Sequence, residues 1–416
     1  MPSTIPKQSL SKKRWFVIMP IVFIIYSLGF LDRVNFGFAA AGGMASDLNL
    51  TPNKYSLVGA LFFLGYFIFQ VPGTVYAERH SVKKVLVASL ILWGLCSSLT
   101  GIVSNVYGLF LIRFTLGTIE SVMQPCIIIY LTRWFVESER GRANAYFILG
   151  NPVTILWMSI VSGYLIHIYN WRTMFVVEGL PSVLWGIICW FIMKENPSEV
   201  PWMTEQEKQT LQNILDEENK NVSNIKNYLE AFRHPKILLL CLQYFCWCIG
   251  VYGFVIWLPS IIKQASLTGI VTVGWLSTVP YTGAIIAMIV ISYLSDKSRE
   301  RYTYVCVSLL VGMISFMCSY FIGTNNFWIS YILLIIAGSA MYAPYGPFFA
   351  IIPSIVPRNV LGGCLALINS MGALGSFVGS YLVGLFNGIT GTPSLSYVFM
   401  AISLFLAVIA TICAKR

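Results

Sequence analysis

Charge is what this chain has least of. Asp, Glu, Lys and Arg make up 11% of its 416 residues, apolar types reach 57%, and the mean hydropathy is +0.73. A soluble domain carries roughly a quarter charged residues, so a soluble globule is excluded. Histidine is nearly absent: His80, His167 and His234 fall at the ends of apolar segments, and no Ser/His or His/Glu constellation lies within one, so nothing supports an enzyme. The ten cysteines include no CxxC pair and no His at ligand spacing. Cys246-Trp-Cys248 would diverge by about 200° on a helix, so the cysteines read as small buried apolar groups, with no metal or cofactor expected. A cleavable leader is also missing from the reading, because the first apolar stretch is long enough to span and lacks a small-residue cleavage site.

What fills the chain is apolar sequence of membrane-spanning length. Twelve segments are predicted, at roughly 15–38, 55–77, 84–103, 107–131, 143–167, 173–193, 237–258, 270–293, 302–322, 327–350, 361–386 and 396–413. The fold class is therefore an all-α membrane protein of 12 transmembrane helices. An even number puts both termini on one side. Of the 27 Lys and Arg, 22 fall on that side; Lys54, Arg172 and Lys263 fall on the other, and Arg33 and Arg113 lie inside segments. The positive-inside rule makes both termini cytoplasmic. The net charge of +10 then reflects topology and anionic lipid rather than nucleic acid.

One polar stretch, 194–236, interrupts the pattern. It divides the chain into a cytoplasmic tail (1–14), a six-helix bundle (15–193), a cytoplasmic linker expected to carry a surface helix (194–236), a second six-helix bundle (237–413) and a short tail (414–416). The halves echo one another: Glu78-Arg79-His-Ser-Val-Lys83-Lys84 follows the second segment, and Asp296-Lys297-Ser-Arg299-Glu-Arg301 follows the eighth. Glu78, Arg79, Asp296 and Lys297 are thus candidate gating residues of two pseudo-twofold-related bundles, with the substrate between them near the midplane and alternating access by rocking. Gly372, Gly375, Gly379 and Gly384 would let the eleventh helix approach its neighbours closely.

Charges inside the apolar segments cost several kcal/mol unless they meet a partner or a wet cavity, which makes them functional candidates. Arg113 and Glu120 are seven residues apart, nearly one face of a helix and about 10.5 Å in rise. Asp32 and Arg33 sit deep in the first segment. With both acids ionised this cluster is neutral, and each bound proton leaves an unbalanced guanidinium, suited to a carboxylate. A proton-coupled carrier of organic anions follows, with H+ as the coupling ion. The second half offers neutral candidates, among them Gln243, Tyr244, Asn369 and Ser370. Glu178 reads as structural, with Arg172 as its nearest candidate partner.

These residues resemble a known family. Leu31-Asp32-Arg33-Val-Asn35-Phe-Gly, Phe62-Phe-Leu-Gly-Tyr66, Arg113-x6-Glu120, Tyr130-Leu-Thr-Arg-Trp134-Phe135, Trp171-Arg172-x-x-Phe175-x-x-Glu178-Gly179-x-Pro181, Trp257-Leu-Pro259 and Asn369-Ser370-Met-Gly-Ala-Leu-Gly are similar to the anion:cation symporters of the major facilitator superfamily. The likeness runs from about residue 15 to 413 and is nearest to the bacterial branch of tartrate, sugar-acid, phthalate and hydroxyphenylacetate permeases. It implies a monomer in the bacterial inner membrane that imports a sugar acid, dicarboxylate or aromatic carboxylate by proton symport. Asp32 and Glu120 would take protons, Arg33 and Arg113 would bind substrate or gate the acids, and Tyr66, Asn151, Gln243 or Tyr244, and Asn369 would contact it. Phe30 and Ile128-Ile129 depart from the galactonate-like members, and Thr74, Glu78 and Ser81 depart from the usual loop motif. An antiporter or efflux carrier of the same fold and a non-transporting receptor are the alternatives. The former lacks its expected Gly-Pro-x-x-Gly-Gly, since Gly150-Asn-Pro152 is followed by Val-Thr.

Overall fold

The computed structural model describes residues 12–220, 234–266, 269–323, 326–355 and 361–415. Twelve helical spans are long and apolar enough to cross a membrane. Span 1 is Lys13–Asp47, span 2 Pro52–Arg79, span 3 Val82–Thr100, span 4 Val106–Trp134, span 5 Tyr146–Ile168 and span 6 Trp171–Ile192. Span 7 is Pro235–Lys263, span 8 Ile270–Ser298, span 9 Arg301–Ile322, span 10 Phe327–Ile352, span 11 Gly363–Thr390 and span 12 Ser394–Lys415. The predicted segments match these one for one, but several helices run past the apolar stretch, span 1 most of all. There Gly43, at φ 119°, allows a left-handed residue inside a π-helical turn (Ala40–Met44), so the helix bends and continues to Asp47.

Span 5 is interrupted at Leu149, between helices Glu137–Ile148 and Gly150–Ile168, and spans 4 and 10 are broken beside a proline. Span 4 consists of helices Val106–Glu120 and Met123–Trp134. Pro125 has no N–H for the Ser121 carbonyl and its ring crowds that group, so the helix opens there. Span 10 likewise divides into Phe327–Tyr342 and Tyr345–Ile355, with Pro347 standing four residues after Ala343. These are the fourth helices of their respective halves, so the breaks occupy corresponding positions.

The halves meet through span 2 against span 11, span 5 against span 8 and span 1 against span 7. Glycine sets the closeness of several contacts. A Cβ on Gly375 would lie 2.1 Å from the Phe245 carbonyl oxygen, and one on Gly379 would lie 2.4 Å from that of Ile249, so spans 7 and 11 touch backbone to backbone. The linker carries a helix, Glu205–Lys220, whose Leu211 and Leu215 are buried. Trp202 stacks on Trp134 at 6.0 Å, and Arg140 pairs with Glu218 at 2.8 Å. The linker thus covers the first bundle at the face that carries most of the basic loops, called the basic face below. Large apolar side chains such as Leu111, Phe191, Ile289 and Phe405 point outward, a surface suited to lipid tails.

Candidate functional site

A cavity with about 690 Å3 of empty space, mouth included, lies between the halves. Spans 1, 2, 4 and 5 contribute Tyr26, Phe30, Arg33, Phe63, Tyr66, Gln124 and Asn151. From spans 7, 8, 10 and 11 come Tyr244, Tyr252, Met288, Tyr342, Tyr345, Phe349, Asn369 and Ser376, with Gly372 giving room for the Tyr244 ring. Gln124 and Tyr342–Tyr345 sit beside the two helix breaks, so each half offers a broken helix to the cavity wall, the arrangement that marks substrate sites in carriers with internal repeats.

Arg33 is the charged centre of that wall. Its Nη2 donates to Glu120 Oε1 at 2.5 Å, joining spans 1 and 4. Its Nη1 donates to the Tyr252 hydroxyl at 3.2 Å, reaching into the other half. The guanidinium lies 4.3 Å from the centre of the Phe30 ring and 5.4 Å from that of Tyr66, so aromatic faces hold it as well. The Arg33 side chain is 11% exposed and that of Glu120 2%, so the cation reaches the cavity while the carboxylate lies behind it. A smaller pocket, shared by Glu120, Arg33, Tyr66 and Gln124, adjoins the large one.

The other expected residues divide. Tyr66, Asn151, Tyr244 and Asn369 line the cavity; Gln243 does not and is fully buried next to Tyr244. Ser370 is committed elsewhere, donating to Gln70 Oε1 at 2.8 Å and so joining spans 11 and 2. Arg113 is buried with its guanidinium 4.2 Å from the centre of the Phe36 ring and 5.8 Å from that of Phe175, away from the cavity lining. The seven-residue spacing therefore does not bring Arg113 and Glu120 to one cavity wall: Arg113 lies two turns earlier in the same helix, held against the Phe36 and Phe175 rings. The Asp32 side chain lies outside the described residues. Arg172 is not the partner of Glu178: it donates to the carbonyls of Gly101 and Val103, while Glu178 accepts from Ser162 Oγ at 2.7 Å.

Glu78, Arg79, Asp296 and Lys297 are exposed on the basic face, with no hydrogen bond or ion pair among the described residues. The loop after span 2 is held instead by Glu195, which the sequence did not single out. Its carboxylate accepts from Ser81 Oγ at 2.6 Å and from the Val82 and Lys83 amides at 3.0 and 3.1 Å, and it pairs with Arg133. Burial raises its pKa, but those donors outweigh it and hold the carboxyl below its ordinary range. Glu195 thus caps span 3 where unpaired amides and the positive end of the helix dipole favour an anion.

At the opposite face the halves are tied together. The Tyr55 hydroxyl donates to the Ile256 carbonyl at 3.2 Å, the Lys263 ammonium donates to the Ala41 carbonyl, and Phe36, Tyr55 and Trp257 pack in series. The cavity is closed on that side.

Gln124 and Tyr26 were not foreseen as site residues, whereas Tyr66 and Tyr244 were. Pro125 lies next to Gln124, but a proline alone was no signal, since Pro20, Pro72, Pro181, Pro259 and Pro280 stand inside continuous helices.

The Major Facilitator Superfamily model matches residues 22–359 and 266–416. Among curated relatives, a quinolone resistance transporter of Acinetobacter baumannii is 28% identical over 404 residues, covering 95% of this chain and 92% of that one. A putative tartrate transporter of Agrobacterium vitis is 29% identical over 412 residues, covering 97% and 91%. The solved structure of a bacterial homolog of the human lysosomal transporter Spinster superposes with a TM-score of 0.76 at 17% identity, over 98% of each chain, a likeness of fold.

Proposed function

The chain belongs to the Major Facilitator Superfamily, and from that premise we propose that it is a secondary active carrier importing an organic anion together with protons. The observation that carries this reading is the Arg33–Glu120 pair at the wall of the cavity between the halves. In the resting pair Glu120 neutralises Arg33. A substrate carboxylate entering the cavity competes for the same guanidinium, and protonation of Glu120 removes the competitor and leaves Arg33 able to grip the substrate with two parallel hydrogen bonds. Proton and anion then favour each other's binding, which is what symport requires. Tyr252, bonded to Arg33 from the other half, would convey the occupancy of Arg33 to the second bundle.

In this reading the basic face is cytoplasmic in the bacterial inner membrane, both termini lie there, and the loop residues Glu78, Arg79, Asp296 and Lys297 engage when that face closes. Closure at the opposite face and exposure of these loops support an inward-open state.

The test is uptake of labelled organic acids into liposomes holding the purified protein, with and without an inward proton gradient. Glu120→Gln should still bind and exchange anion but fail to accumulate it against a gradient. Full accumulation by this variant would assign the proton elsewhere. The quinolone-resistance relative favours a second reading, export, and accumulation driven only by the reversed gradient would establish it.

A further inference from the structure

We infer that Gly372 is the size-determining residue of the cavity: bearing no side chain, it lets the Tyr244 ring stand back in the wall and so sets how bulky an anion can bind. The inference rests on the anion-carrier reading above and deepens it. Gly372, Gly375, Gly379 and Gly384 share one helix, Leu361–Thr390, but they do not meet the same kind of neighbour. A Cβ on Gly375 or Gly379 would meet the main chain of span 7, which makes those two packing positions. A Cβ on Gly372 would instead lie 2.2 Å from Cε1 and 2.5 Å from Cδ1 of Tyr244, and 3.1 Å from Cys248 Sγ. Gly372, Tyr244 and Cys248 all line the cavity, and among the described lining residues Gly372 is the one glycine.

Were that room filled, the ring would have one way to go. Non-bonded carbons rest about 3.5 to 4.0 Å apart, so the ring would have to shift by more than about 1 Å. One of its faces is closed by Phe348, stacked at 5.2 Å, while Trp247 meets it edge-on at 5.4 Å and Phe349 at 5.7 Å. Phe348 and Trp247 are fully buried, and the Trp247 indole is fixed by its bond to the Met341 carbonyl at 2.9 Å. Displacing them would disturb a close-packed core. Span 11 is held where it is by the backbone contacts of Gly375 and Gly379 with span 7, within the next two turns. The side that remains is the cavity. A Tyr244 ring turned into it occupies space that a bulky anion needs and a small one does not. Arg33 stands on span 1, in the other half, so its grip on a carboxylate is left as it was.

The test compares the native chain with Gly372→Ala, Tyr244→Ala and the double variant, each as the full chain in nanodiscs. Acetate, lactate, benzoate, phthalate and gluconate, titrated by equilibrium binding, serve as a ruler of size, and a cryo-electron-microscopy map of Gly372→Ala shows where the Tyr244 ring stands. Gly372→Ala should weaken the bulkier acids that the native chain binds by about tenfold, change the smaller ones by less than about twofold, and show the ring out of its Phe348 stack. In the Tyr244→Ala background the same substitution should change every acid by less than about twofold, the non-additivity of residues in contact. Equal weakening of all the acids, or a ring still stacked on Phe348, overturns the size assignment and leaves the anion carrier standing. If Gly372→Ala does not fold, a folded double variant upholds the steric pairing and an unfolded one overturns it. If the native chain binds none of the acids while monodisperse and helical, the anion-carrier reading fails and the map decides alone: a displaced ring keeps Gly372 as the determinant of cavity size, and an unmoved one removes it.

Discussion

Arg33 answers to three masters at the scale of single residues: the carboxylate of Glu120, the hydroxyl of Tyr252 and the rings of Phe30 and Tyr66. Its partners can be removed one at a time. Tyr252→Phe deletes only the contact to the second half, so anion affinity should change by roughly two- to tenfold, the range of one hydrogen bond to a charged group in a partly wet site, while the fold is kept. Its transport rate should fall further than its affinity, and a rate that tracks affinity alone would leave Tyr252 as a binding group with no part in coupling. Both Arg33 and Glu120 could be found in the sequence because a charge in an apolar segment stands out. Their pairing could not. Glu120 goes to Arg33 of span 1 rather than to Arg113 of its own helix, and that choice depends on how two spans cross. Tyr26 was hidden for another reason: Tyr is equally at home at a membrane interface, so a tyrosine in a span reports no site until its neighbours are known.

At the scale of elements, helices 4 and 10 were each read as a continuous span, because nothing in the sequence separates Pro125 and Pro347 from Pro20, Pro72, Pro181, Pro259 and Pro280, which stand inside continuous helices. The glycine row of span 11 was read as a packing surface, and the backbone contacts of Gly375 and Gly379 with span 7 show how tight that surface is. Gly375→Ala should cost about 1–3 kcal/mol as overpacking, read as a lowered melting temperature in detergent. An unchanged melting temperature would mean that spans 7 and 11 slide apart freely. Glu195 was invisible in the sequence because its partner Ser81 lies 114 residues away. Its depressed pKa makes the cap of span 3 sensitive to acid. A carboxylate held below its unfolded value stabilises above that value and loses its contribution as pH falls through the folded one. Amide exchange at Val82–Lys84 should therefore be slow near neutrality and quicken below the carboxylate range. Glu195→Gln should exchange faster at neutrality and show no acid step; identical profiles in both proteins would remove Glu195 from the cap.

For the whole molecule, the two bundles are joined across the cavity and at the face opposite the basic loops. Lys263→Met removes one of those ties. Spin labels on Asn53 and Gly388, where spans 2 and 11 meet at that face, should report longer and broader distances in the variant, with the open population raised by roughly tenfold, about the worth of one charge-assisted hydrogen bond. The comparison needs the native cysteines replaced. An unmoved distance distribution would assign the closure to the aromatic packing of Phe36, Tyr55 and Trp257.

Both polar ties at that face end on main-chain carbonyls, those of Ile256 and Ala41. Side-chain replacement cannot delete such an acceptor, so heritable tuning of the gate is lopsided: it can act on the donors Tyr55 and Lys263, or on the bend that presents the Ala41 carbonyl. Gly43 sets that bend. A substitution there would alter how often the carrier opens while touching neither partner of the bond, and a screen for suppressors of a slow gate should return to this glycine and its neighbours more often than to positions 41 or 256.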